Sequence, residues 1–123
     1  MTEPIRATLP WPPSVNHYWR AAGARRFISP QARRWVEEAV WTLRQAKGTR
    51  PPIQNEVAVF VIAWPPDRRR RDLDNLLKAI LDALVKAHIV QDDHQVAELH
   101  LVRRAPEKPG RVQVVVEVFD GGV

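Results

Sequence analysis

The octapeptide Val57 to Trp64, V-A-V-F-V-I-A-W, is apolar at every position. A half-exposed strand alternates apolar and polar residues, whereas a strand apolar on both faces belongs in the middle of a sheet, covered on both sides. Glu56 leads into it, and Pro65-Pro66 ends it because proline donates nothing to a ladder. Whatever this chain folds into must therefore build neighbours around one central strand.

The flanking segments supply them. Ile5, Ala7 and Leu9 alternate with Arg6 and Thr8 as a short first strand, stopped by Pro10-Trp11-Pro12-Pro13. Ser14 to Ile28 is polar, aromatic and basic, and reads as a loop. Ser29-Pro30 sets a helix start, with serine at the N-cap and proline in the first helical position. Trp35, Val36, Ala39, Val40 and Leu43 follow at helical spacing, and Gly48 is the stop. Beyond the central strand, Leu73, Leu76, Leu77, Ile80, Leu81, Leu84 and Val85 mark a second helix. Val96 to Val102 and Val112 to Phe119 read as two further strands, joined by the Ala105-to-Gly110 turn as an antiparallel hairpin. The order β-α-β-α-β-β predicts an α/β (α+β) fold, a single domain over residues 1–123 with a mixed four-stranded sheet and two helices. A length of 123 residues suits one domain.

Nineteen Lys and Arg against fourteen Asp and Glu leave a net charge of +5, which favours an anionic partner such as nucleic acid. The absence of cysteine excludes disulfides and thiolate chemistry, so a bound metal would sit on oxygen or imidazole. No apolar signal core or membrane-length run is present, and a cytoplasmic location without membrane association is the expectation. Five glycines and no glycine-rich phosphate loop argue against a small-molecule phosphotransferase, and no small-molecule cofactor is expected.

Chemistry concentrates between Pro65 and Asp93. Four arginines, Arg68, Arg69, Arg70 and Arg71, run directly into Asp72 and Asp74, which flank Leu73 at the start of the second helix. Asp92 and Asp93 follow its end. A single acid at a helix start is most simply a cap or a partner for the positive dipole end. Two acids there, with another pair beyond, exceed what capping needs. Along a helix of about fifteen residues, roughly 22 Å, the two pairs cannot meet. The chain must return after Ile89, and a strand starting near Gln95 beside the central strand is expected to carry Asp93 to the end where Asp72 and Asp74 lie.

Carboxylates gathered so closely raise one another's pKa unless a cation intervenes. Mg²⁺ or Mn²⁺, hard and oxygen-seeking, suits them, and two such ions roughly 3.5–4 Å apart can drive phosphodiester hydrolysis. Lys78, one turn after Asp74, either pairs with Asp74 or Asp82 for about 0.2–0.5 kcal/mol or holds the scissile phosphate. The arginine run is either a solvated face or a phosphate grip. His17, Tyr18, Trp19 and Arg20, with Arg25 and Arg26, mix rings and cations as nucleic-acid surfaces do. Trp11 reads as a core plug and Trp35 as core, while Trp41 falls off the helix stripe. His94 is a conceivable base beside Asp93, though a surface role weighs more, and His100 carries no assignment.

These residues resemble the RusA-type Holliday junction resolvases, small endonucleases common in phages and prophages. The resemblance covers nearly the whole chain through T-L-P-W-P-P-S-V-N at Thr8 to Asn16, P-D-R-R-R-R-D-L-D-N-L-x-K at Pro66 to Lys78, D-A-L at Asp82 to Leu84 and D-D-x-Q at Asp92 to Gln95. It implies Mg²⁺-dependent cutting of four-way junction DNA by a homodimer in a bacterial or phage-infected cell. It also implies Asp72, Asp74 and Asp93 as metal-binding catalytic acids, Lys78 as the essential basic residue and Asp92 as an auxiliary acid. Asn16 joins the arginines as a DNA-contact candidate. One position departs from the family: after Lys86-Ala87 it usually has glycine, suited to φ > 0 at a helix end, where this chain has His88. A different helix end, shifting the approach of Asp93, is the expected consequence. Two alternatives stand beside this reading: a metal nuclease for flaps, forks or RNA, and a non-catalytic DNA-binding module whose acids only cap helices and pair with arginines.

Overall fold

A computed structural model describes residues 3–14, 19–22, 25–71 and 73–121. The elements are β1 (Ile5–Pro10), β2 (Trp19–Ala22), β3 (Arg25–Ile28), α1 (Pro30–Lys47), β4 (Val57–Trp64), α2 (Leu73–Lys86), β5 (Val96–Arg103) and β6 (Arg111–Val118). Four strands form one mixed sheet in the order β1-β6-β4-β5. The apolar octapeptide is indeed interior: β6 pairs with it antiparallel and β5 parallel.

Two expectations change. The stretch Ser14 to Ile28, expected as loop, contains the two-stranded hairpin β2–β3, with Trp19 opposite Ile28 and Ala22 opposite Arg25. Four-residue strands of mixed character are too short to show a period of two. Nor do β5 and β6 form a hairpin. The linker 104–110 crosses the end of β4, where the Arg104 N–H donates to Ala63 O at 2.8 Å and the Glu107 N–H to Pro65 O at 2.7 Å. Stepping over one strand takes about 10 Å, well within its reach. The exchange gives β4 a neighbour on each side and seats β6 between β4 and β1, where Val112, Val114 and Val116 are buried.

Each helix is a crossover between strands running the same way, β1 to β4 through α1 and β4 to β5 through α2. Both crossovers step in the same direction across the sheet, so right-handed connections put both helices on one face. The core lies there: Ile5, Ala7 and Leu9 of β1 and Val57, Val59 and Val61 of β4 pack with Trp35, Ala39 and Leu43 of α1 and Ile80, Ala83 and Leu84 of α2. Ser29 caps α1 by accepting the Ala32 N–H at 3.1 Å, and Gly48 ends it at φ 64°. Trp35 donates its indole N–H to Pro10 O at 2.8 Å, tying α1 to the end of β1. Trp41 is exposed, as its position off the stripe predicts. On the far face of the sheet Phe60 stacks on His100, centroids 4.7 Å apart, and the Arg111 guanidinium lies 4.0 Å from the Trp64 ring centroid.

Candidate active site

The end of β4 is a tightly bonded turn. Asp67 accepts the Arg69 N–H at 2.9 Å and the Arg71 guanidinium at 2.7 Å. The hydrogen bond from Arg71, helped by the Arg69 backbone, holds the Asp67 carboxyl below the ordinary carboxylate range. Arg71 also donates to the carbonyls of Asp67 and Arg69, at 3.3 and 3.2 Å, and its guanidinium lies 5.7 Å from the Trp11 ring centroid. Arg71 is thus committed to the turn; Arg69 Nε also lies 3.9 Å from Asp67, but Arg68, Arg69 and Arg70 are exposed.

The helix α2 begins just beyond. Asp72 lies outside the described residues, and so does Asn16; Asp74 occupies the first turn of α2, its side chain outside the description. Lys78 follows one turn later with an exposed side chain. Arg20, Arg25 and Arg26 fall on the β2–β3 hairpin, and their side chains are likewise undescribed.

The far end of α2 shows what His88 does. The His88 N–H donates to Val85 O and the Ile89 N–H to Leu84 O, both at 3.0 Å, the paired closing bonds of a helix whose next residue is left-handed. His88 takes that conformation, at φ 59°. The helix therefore ends as it would with glycine, and the expected shift does not occur; backbone strain of about 1–2 kcal/mol is the cost. Ile89 and Leu84, the residues whose contact accompanies such an ending, are both fully buried.

From there the chain runs through an isolated parallel bridge between Ile53 and Val90 into a short 3-10 turn, Asp93–Gln95. Asp92 caps the turn, accepting the His94 N–H at 2.9 Å. That backbone bond, with the His94 ring beside it, lowers the Asp92 pKa. Gln95 is 8% exposed. Its Oε1 accepts the N–H groups of Gln91 and Asp92 at 2.8 and 3.0 Å, and its Nε2 donates to the carbonyls of Ile53 and Asn55 at 2.8 and 2.9 Å. One amide thereby fixes the acidic turn to the segment that leads into β4. Asp92, Asp93 and His94 are exposed, and the His94 ring nitrogen Nδ1 sits 3.0 Å from Asp92.

This placement corrects the expected meeting of the acids within one chain. The strand from Gln95 does run parallel to β4, but parallel strands share their starts: Val57 pairs with Val96. Asp93 therefore sits beside the beginning of β4, whereas Asp74 follows its end. A strand of eight residues separates those ends by about 25 Å. Along α2, Asp74 lies about 12 Å of helix rise from Asp82. Asp82 is the acid that Asp93 approaches. Partial burial raises its pKa, the lysines Lys86 and Lys78 oppose the rise, and the charge of Asp93 adds to it. From sequence Asp82 is a candidate partner of Lys78 and part of the D-A-L motif; its signal as a neighbour of Asp93 is its position two turns after Asp74 and one after Lys78.

Among the described residues, no three His, Cys, Asp or Glu side chains gather where they could hold a metal ion. The donor chemistry itself fits: the acidic turn offers exposed carboxylates in a chain without cysteine, the set a hard divalent cation takes.

Comparison with known proteins places this arrangement in the class of small DNA endonucleases. A family model described as Endodeoxyribonuclease RusA matches residues 10–117. Relatives named as crossover junction endodeoxyribonucleases include one from Enterobacteria phage HK97, 36% identical over 88% of this chain and 89% of the relative. One from Shigella sonnei is 38% identical over 89% of this chain and 90% of the relative, and one from Enterobacteria phage 82 is 40% identical over the same shares. The chain belongs to the RusA endodeoxyribonuclease family. Membership implies a requirement for a divalent metal. No helix among the described residues is long and apolar enough to cross a membrane.

Proposed function

We propose that this protein is a crossover junction endodeoxyribonuclease, cutting four-way DNA by phosphodiester hydrolysis with Mg²⁺, for which Mn²⁺ substitutes, in DNA recombination and repair in the cytoplasm. The family match across residues 10–117 carries the reading. In this reading Asp72, Asp74 and Asp93 hold the ion, Asp92 supports Asp93, and Lys78 draws the scissile phosphate toward the acids. A divalent ion supplies a lowered-pKa water and stabilises the leaving oxygen. The exposed Arg68, Arg69 and Arg70 grip the DNA backbone before any bond breaks, with Asn16, Arg20, Arg25 and Arg26 as further contacts.

The separation of Asp93 from Asp74 along β4 supports a homodimer whose site is shared. The strand β5 is the edge of the sheet, and on it Leu99 and Val102 are 39% and 40% exposed. A long open edge is a template for pairing with another strand. Two copies joined antiparallel along β5 about a two-fold axis bring the start of one β5 beside the end of the other. Asp93 of one copy then faces the α2 start, with Asp72 and Asp74, of the second. Two such sites, related by the axis, suit the paired symmetric nicks that a two-fold junction requires.

Subunit mixing tests this. Asp74→Asn and Asp93→Asn proteins should each bind four-way junctions yet fail to cut them with Mg²⁺. Mixed and allowed to exchange, they should regain nicking, because every heterodimer contains one site with neither substitution. Demonstrated exchange without any recovery would refute the shared site. Cutting by the wild type that survives chelation would refute the metal reading, and preference for flaps or single strands over junctions would favour the rival nuclease.

A further inference from the structure

Beside the arginine turn lies a groove of about 720 Å³. Its floor is Trp11 with the neighbouring prolines of the β1 exit. The exposed Arg69 and Arg70 of the turn also line it, as do Arg34 and Glu38, one turn apart on α1. Trp11, read from sequence as a core plug, is only half-buried: it packs on the core below and lines the groove above. Arg71, fixed by Asp67, holds its guanidinium on the Trp11 ring and so helps set the ring's position.

The shape and lining select a ligand. Sites of a few hundred Å³ and more suit small organic molecules, so this volume exceeds a lone phosphate. A B-form duplex, whose major groove alone is about 12 Å wide, could touch only the rim. Cations brought to one groove from two elements, Arg34 from α1 and Arg69–Arg70 from the turn, favour a phosphate strand running between them. An aromatic floor among prolines offers a π-face to a base that has left its stack. Glu38 repels phosphate from its part of the groove and presents an acceptor to base N–H groups, the thymine N3–H among them.

We propose that this groove is a subsite for one unpaired nucleotide, its phosphates between Arg34 and Arg69–Arg70 and its base against Trp11. The inference rests on the reading of the chain as a junction endodeoxyribonuclease: strands exchanging at a crossover supply nucleotides free to leave the stack. Because Arg71 directly precedes Asp72, a nucleotide held here lies close along the chain to the proposed metal ligands.

The test is fluorescence anisotropy without divalent metal, using labelled (dT)8 and an abasic strand with the same number of phosphates. Wild-type protein should bind (dT)8 roughly 5- to 150-fold more tightly, the worth of one stacked base. Trp11→Leu should abolish that ratio. Arg34→Glu, on an exposed face of α1 and so harmless to folding, should weaken both strands roughly tenfold or more. Equal binding of the two strands by the wild type, or an Arg34→Glu protein of unchanged affinity, overturns the proposal. Junction nicking with Mg²⁺ by the same preparation separates the causes. Cutting without base preference sinks the groove alone, whereas no cutting sinks the reading on which it stands.

Discussion

Replacing Gly110 with alanine probes the contact that joins the strand exit to the groove floor. Gly110 has φ 91°, and a Cβ built on it would stand 2.9 Å from both the backbone nitrogen and the ring Cδ of Pro66 and 3.1 Å from Trp11 Cβ. The positive φ costs an alanine about 1–2 kcal/mol. Forcing a methyl between a proline ring and a tryptophan adds about 1–3 kcal/mol, since neither neighbour can swing away. The expected loss is therefore about 2–5 kcal/mol, a large part of the roughly 5–15 kcal/mol that holds a domain together. Gly48→Ala is the control. Its φ is 64° with ψ −137°, but nothing lies within 4 Å of the added carbon, so only the backbone strain of about 1–3 kcal/mol remains. Urea denaturation followed by tryptophan fluorescence, at one fixed protein concentration, measures both. Equal losses in the two variants, or a Gly110→Ala loss no larger than the backbone contribution, would refute the steric argument.

His88→Gly should move stability the other way. Relief of the left-handed strain exceeds the added freedom of the unfolded chain, leaving a gain of about 0.5–1 kcal/mol in the same urea assay; a loss would mean that the histidine ring supports the turn. Asp67→Asn should produce a pH-dependent defect. The folded-state pKa of Asp67 is depressed, chiefly by Arg71, so its contribution is present above the unfolded value of 3.8 and disappears as pH falls through the lower folded value. Thermal melting should show the variant weaker than wild type at pH 7, with the gap closing in acid; a gap that is constant with pH would remove the linkage.

What the sequence revealed followed from local chemistry. Ser29, Pro30 and Gly48 fixed the ends of α1 because caps act within one turn, and the unbroken apolar run of β4 announced an interior strand. Pairing was harder to see. Val112, Val114 and Val116 alternate equally well in a hairpin with β5 or between β1 and β4, and only the demand of β4 for two neighbours decides. The position of Asp93 failed for a related reason: the strand expected beside β4 runs parallel to it, so its start lies with the start of β4. His88 misled because residue preference at a left-handed position is a matter of one or two kcal/mol, which the buried Leu84–Ile89 pair and two closing hydrogen bonds override. Gln95 was visible only as a motif letter; that its amide serves four backbone groups depends on a segment forty residues away.

Holding Asp93 at one end of β4 and Asp74 past the other has a consequence for the cell. Under the shared-site arrangement a newly made, solitary chain is harmless to the DNA around it, since it owns only half of the cutting apparatus. Destructive power appears only on pairing, so at low abundance cutting should climb with the square of concentration rather than in proportion to it. On that reading a small basic protein carries its own dosage threshold, written into nothing more than the direction of one edge strand.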